Sequence, residues 1–164
     1  MPGQVPQTAF RQRRVTARNE RSAVMEAAIV DASVAVKWVV NESGSDRARL
    51  LSQTSLEAPD LLLIECANIL WKKVRIRDLT REEASTRLEM LLRAPVSLVE
   101  SRPLLNSALA LSLDLQHPVY DCVYVALALR RDLPLITADE RLVAAVRKSP
   151  KVAGRVIRLA DLPD

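Results

Sequence analysis

Four carboxylates sit where an acid has a use beyond solubility. Asp31 closes the apolar run Ala28-Ile-Val, and Asp139 closes Leu135-Ile-Thr-Ala. Glu65 and Asp121 interrupt two longer apolar stretches, 61–70 and 119–129. An ionised carboxylate inside an apolar segment is costly unless it is paired or bound to a metal. Neither Glu65 nor Asp121 has a Lys or Arg within the five residues before it. A shared cluster would suit a hard, oxygen-seeking ion, Mg²⁺ or Mn²⁺. The single His, His117, gives poor support for zinc or non-haem iron and receives no role.

Each acid also has a plainer explanation. Asp31 could begin a turn, Asp139 could cap a helix opening at Glu140, and Asp121 could favour a helix dipole. Glu65 is harder to dismiss, since an apolar helix has little use for it. One shared site accounts for all four more economically than four separate explanations. Ser33, two residues past Asp31, can cap the next helix or hydrogen-bond the carboxylate. Asn68 lies three residues past Glu65 and shares its helix face.

Bringing such acids together requires a scaffold that delivers them to one edge. Ile29–Asp31 ends a first strand. Helices are expected over 33–40 and 45–56, with a turn or very short strand at 57–59. Asp60 is expected to cap a helix over 61–76, and Thr80-Arg-Glu-Glu83 is a capping-box pattern for a helix to Arg93. A strand over 96–99 precedes helices over 103–115 and 118–131. A strand at 133–137, a helix at 140–148 and a last strand at 156–159 complete the chain. Strands alternating with helices imply a mainly parallel sheet with right-handed crossovers, a three-layer α/β/α sandwich. In such sheets ligands bind outside the carboxyl ends of the strands. Asp31 and Asp139 both fall at that edge.

A chain of 164 residues suits one domain with a substantial core. Residues 1–27 are polar, Arg-rich and unperiodic, so a flexible extension is expected there and the folded domain over 28–164. The extension also has the composition of a transit peptide, and Met25 is a candidate start. Residues 1–28 carry +3 of the net charge of +4, leaving +1 for the remainder. So neutral a body is no large electrostatic clamp for nucleic acid. One Phe, two Trp and two Tyr leave little for base stacking. No apolar run reaches the roughly 18 residues of a membrane span. Cys66 and Cys122 lack a CxxC partner and read as small core residues in a reducing cytoplasm. Trp38 and Trp71 read as core. Lys37, Lys72, Lys73, Arg75 and Arg77 read as solvated helix faces, some of which could meet phosphates.

Four segments taken together resemble a PIN domain of the VapC toxin type. They are Val30-Asp-Ala-Ser-Val-Ala-Val-Lys-Trp38, Leu63-Ile-Glu-Cys-Ala-Asn-Ile-Leu70, Tyr120-Asp-Cys-Val-Tyr-Val-Ala-Leu-Ala128 and Leu135-Ile-Thr-Ala-Asp-Glu-Arg-Leu142. Each is a weak signal alone; their order and spacing together are specific. The resemblance runs from about residue 28 to the end, and all four acidic positions of the pattern are filled. It implies a five-stranded parallel sheet and a metal-dependent endoribonuclease, the toxin of a type II toxin–antitoxin pair. It also implies a homodimer, an RNA substrate and a VapB-type antitoxin whose C-terminal segment lies across the active site. On this resemblance Asp31, Glu65, Asp121 and Asp139 are catalytic and bind Mg²⁺ or Mn²⁺, directly or through water. Ser33, Asn68 and Thr137 would orient carboxylates or water behind them. The Arg-rich extension departs from the family pattern.

Other readings remain at this point. A PIN-type nuclease of RNA processing, or a catalytically silent metal-binding or interaction module, would share the pattern. A receiver-like phosphoacceptor would need adjacent acids at the first strand's end, where Val30 precedes Asp31. A phosphatase with Asp-x-Asp is disfavoured by the triplet Asp31-Ala32-Ser33. A pure binding module has no use for four carboxylates at strand ends.

Overall fold

The first strand shows why a parallel sheet forms here. In β1 (Ala27–Val30), Ala28, Ile29 and Val30 are completely buried, as expected of a strand covered on both faces. The computed structural model describes residues 25–163. Within them β1 joins β2 (Ser55–Pro59), β3 (Val96–Val99), β4 (Leu135–Thr137) and β5 (Val156–Arg158) in one sheet. The order is β3-β2-β1-β4-β5, and every pairing is parallel. Helices α1 (Ala32–Ala35), α2 (Ser45–Arg49), α3 (Leu62–Arg75) and α4 (Arg81–Leu92) fill the connections from β1 to β3. Helices α5 (Leu105–Leu115), α6 (Val119–Arg131), α7 (Glu140–Val146) and α8 (Pro150–Ala153) fill those from β3 to β5. The strand order reverses direction after β3, so right-handed crossovers put these two sets on opposite faces. The three expected layers are present.

Helix α6 is the central cover. Seven consecutive residues, Cys122 to Ala128, are buried in it, which explains the unbroken apolar run in the sequence. Three helix ends use a non-glycine residue in the left-handed conformation: Arg77 just past α3 (φ 63°), Gln116 after α5 (φ 50°) and Asp132 after α6 (φ 58°). No helix among the described residues is long and apolar enough to cross a membrane.

Some expected boundaries differ for physical reasons. The helix expected over 45–56 stops at Arg49, and a 3₁₀ turn follows over Leu50–Gln53. Leu56 then serves the sheet, because its neighbours β1 and β3 claim the backbone of 55–59. The helix expected over 33–40 is α1 plus a 3₁₀ turn, Val36–Trp38, and Trp38 Nε1 donates to the Ala48 carbonyl at 3.0 Å. Asp60 does not cap α3. Its carboxylate instead accepts from the Ser101 backbone N–H at 3.2 Å and from the Ser101 hydroxyl, joining the ends of β2 and β3. The Thr80–Glu83 capping box is present at α4. Residues 1–24 of the expected extension lie outside the described residues. Met25 packs against the core, and Ala27 opens β1.

Candidate metal centre

The reversal of strand order opens a crevice at the carboxyl ends of β1 and β4, where ligands of such sheets bind. The register sets Val30 against Ile136, and Asp31 N–H continues the ladder to the Ile136 carbonyl at 3.1 Å. Asp31 and Thr137 are therefore neighbours across the crevice. Asp31 Oδ2 accepts from Ser33 Oγ at 2.5 Å and from Thr137 Oγ1 at 2.6 Å. Each hydroxyl oxygen is itself an acceptor: Ser33 Oγ from Ala138 N–H at 2.9 Å, Thr137 Oγ1 from Asp139 N–H at 3.0 Å. Two backbone N–H groups thus feed two hydroxyl protons onto one carboxylate oxygen, and such chains polarise one another. Asp31 is nearly buried, and burial pushes its carboxyl above the usual carboxylate range. The two hydroxyls oppose that rise, while the charge of Asp139 adds to it.

Asp139 has both of the roles weighed for it. Its Oδ1 accepts from Arg141 N–H at 2.7 Å and Leu142 N–H at 3.3 Å, capping α7. Its carboxylate also faces the crevice beside Asp121, which stands in the first turn of α6. Asp121 is pushed up by burial first and by the charge of Asp31 next, with His117 opposing. Glu65, in the first turn of α3, accepts from Tyr124 Oη at 2.5 Å. Its carboxyl is pushed up to about 7, by burial first and then by the charges of Asp31 and Asp121, against the Tyr124 hydrogen bond. Asp31 thus feels the charge of Asp139, Glu65 those of Asp31 and Asp121, and Asp121 those of Asp31 and Asp139, and among the described residues no Lys or Arg forms an ion pair with any of the four. Asn68 is exposed on α3, and among the described residues it takes no part in this hydrogen-bond network.

Two participants have no role in the sequence reading. Tyr124 is completely buried, and a buried phenol seeks a polar partner. Its signal was a Tyr within the unbroken buried run of α6, where the other Tyr of the helix, Tyr120, is exposed. His117 Nε2 lies 2.8 Å from Asp121 Oδ2, with its side chain only 9% exposed. The contact is short but badly angled, so Nε2 is left without a directed hydrogen bond. One ligand atom from each of His117, Asp121 and Asp139 falls within 4.8 Å of the others. The spacing of four between His117 and Asp121 was the available signal.

These residues fit a divalent cation. The donors are carboxylates plus one imidazole, and an orphaned buried nitrogen faces them. Cys66 and Cys122 are pushed up by burial to about 12 and about 11, which keeps both thiols protonated. Beside the crevice opens a groove of about 720 Å³, with Ala138, Glu140, Lys37 and Arg158 in its wall. The carboxylates themselves lie outside it, and its cations are already engaged, Lys37 with Glu42 at 2.7 Å and Arg158 with Asp161 at 2.6 Å.

The family model for the PIN domain matches residues 28–148. Ribonuclease VapC3 of Pyrobaculum aerophilum is 38% identical over 118 residues, covering 70% of this chain and 90% of that one. The crystal structure of PAE2754 from Pyrobaculum aerophilum superposes with a TM-score of 0.62 at 23% identity, covering 87% of this chain and 89% of that one. A toxin–antitoxin complex from Klebsiella pneumoniae contains a chain with a TM-score of 0.56 at 13% identity, covering 82% and 99%.

Proposed function

The chain belongs to the PIN-domain family, and from that premise we propose that it is a divalent-metal-dependent endoribonuclease, the toxin of a type II toxin–antitoxin pair. The observation that carries this reading is the convergence of four carboxylates on one crevice with no Lys or Arg pairing with them. A phosphodiester is anionic, and such a cluster alone would repel it. Asp31, Glu65, Asp121 and Asp139 would hold Mg²⁺ or Mn²⁺. When bound, the metal reverses the local sign, acidifies a water and stabilises charge on the scissile phosphate.

The chain's own residues prepare that site. Ser33 and Thr137 fix the Asp31 carboxylate, so its orientation is set before anything binds. The α7 backbone holds Asp139. Tyr124 holds Glu65 by one oxygen. Burial and the neighbouring acids raise the Glu65 carboxyl to about 7, and a bound cation would favour its ionised, ligating form.

The partners follow the same reading: RNA as substrate, a VapB-type antitoxin as inhibitor, and a second copy of the chain. The homodimer is supported by α5, where Leu105, Leu109 and Leu113 form an exposed stripe at helical spacing. A two-fold pairing of α5 with its copy would cover that stripe. The cytoplasm is the proposed compartment, consistent with the two free thiols. The test is cleavage of total RNA by the purified chain, with Mn²⁺ or Mg²⁺ and with chelator. Cleavage with metal and none with chelator is expected. Equal cleavage in chelator, or none in either metal, would overturn the assignment.

A further inference from the structure

We propose that His117 is a nitrogen ligand in this centre and makes it favour Mn²⁺ over Mg²⁺. The inference rests on the metal-centre reading above and deepens it. Its observation is separate from the carboxylates: a buried imidazole nitrogen, 2.8 Å from Asp121 Oδ2, with no directed hydrogen bond. An imidazolium formed only to pair with Asp121 would aim its N–H along that short line. At 2.8 Å the imidazole nitrogen and the carboxylate oxygen are instead spaced like neighbouring ligands of one ion. Adjacent ligands of an octahedral ion at about 2.1 Å lie about 3 Å apart.

The backbone that carries the ring is held as well. The His117 backbone N–H donates to the Ser112 carbonyl at 3.2 Å, and the His117 carbonyl accepts from Ser112 Oγ at 2.6 Å. Gln116 takes the left-handed conformation just before it, so the chain turns sharply from α5 into the crevice. Asp139 supplies the third donor within 4.8 Å, from the far side of the crevice.

The chemistry of the donor then sets the preference. Mg²⁺ prefers oxygen donors and holds its waters, whereas imidazole suits first-row transition ions. A site of carboxylates alone discriminates weakly between Mg²⁺ and Mn²⁺. Adding one neutral nitrogen favours Mn²⁺ without adding charge.

The experiment uses the purified full chain and Mn²⁺ itself. Pulsed electron paramagnetic resonance of the bound Mn²⁺ should show coupling to a directly ligated ¹⁴N. His117→Gln should lose that coupling and weaken Mn²⁺ binding by about tenfold or more, with Mg²⁺ binding changed much less. Bound Mn²⁺ without nitrogen coupling in the unaltered chain would overturn the proposal and leave the carboxylate centre standing. No Mn²⁺ binding at all would overturn both. If His117→Gln fails to fold, the spectrum of the unaltered chain still decides.

Discussion

Asp31 and Asp121 face the same crevice, yet they are held in different ways. Asp31 Oδ2 receives two hydroxyl protons, at 2.5 and 2.6 Å, each backed by a backbone N–H. Asp121 has one imidazole nitrogen at 2.8 Å, badly angled. Glu65, on the same side as Asp121, has one phenol. The strand side of the centre is finished by the fold. The helix side, on α3 and α6, has fewer fixed partners, and on the proposed function a cation would complete it. Substitutions should therefore divide: on the strand side they should harm folding and function together, on the helix side function alone.

The largest effect is expected at Asp121. Asp121→Asn keeps the shape and removes one charge from a crowded anionic site. RNA cleavage should fall by orders of magnitude, while the metal-free protein melts at the same temperature or higher. A clear loss of stability would show that the helix side is also structural, and wild-type cleavage would remove Asp121 from the machinery.

Thr137→Val is the matching break on the strand side. It removes the proton donated to Asp31 and leaves the part-buried Asp139 N–H without its acceptor. Stability should fall by about 1–3 kcal/mol in chemical denaturation. Cleavage should fall too, by roughly 10–100-fold, because the carboxylate loses its orientation. An unchanged unfolding midpoint would erase the contrast between the two sides.

The pH dependence of the metal-free protein sharpens the comparison further. Glu65 is raised from 4.5 to about 7, so its ionised form is disfavoured in the fold. The protonated form carries no penalty, so none is present below about 4.5; it grows through this window and is complete above about 7. Asp31 and Asp121 are shifted the same way. The chelator-treated chain should thus melt at a lower temperature at pH 8 than at pH 5. Mn²⁺ at pH 8 should restore it. Glu65→Gln should flatten the dependence, and a flat profile in the unaltered chain would contradict this electrostatic account.

The smallest effect is a control away from both sides. Thr80→Ala removes the α4 capping box and should cost about 1 kcal/mol with cleavage unchanged. A drop in cleavage beyond that loss of folded protein would mean α4 reaches the centre.

What the sequence displayed depended on how local each cause was. Asp31 and Asp139 were legible because a strand's end is marked by where its apolar run stops. Thr80 was legible because a capping box is closed within four residues. Leu56 was ambiguous, fitting both a helix face and a strand, and only its neighbours β1 and β3 decide between them. Asp60 looked like a cap, but Ser101, on another loop, competes for its oxygen. Tyr124 and Glu65 are partners from different helices, 59 positions apart, so neither predicts the other. His117 was passed over as an isolated histidine, although its spacing to Asp121 was in view.

The contact between Asp31 and Thr137 spans 106 positions of sequence. A ribosome adds roughly 5–20 residues per second, so about 5–20 s separate the synthesis of these two residues. Throughout that interval β1 exists without β4, and the crevice has only one wall. On the proposed centre, a growing chain would not yet be able to cut the RNA around it, and a chain stopped short of Leu135, lacking Thr137 and Asp139, should be inert in a cleavage assay however well its first strands fold.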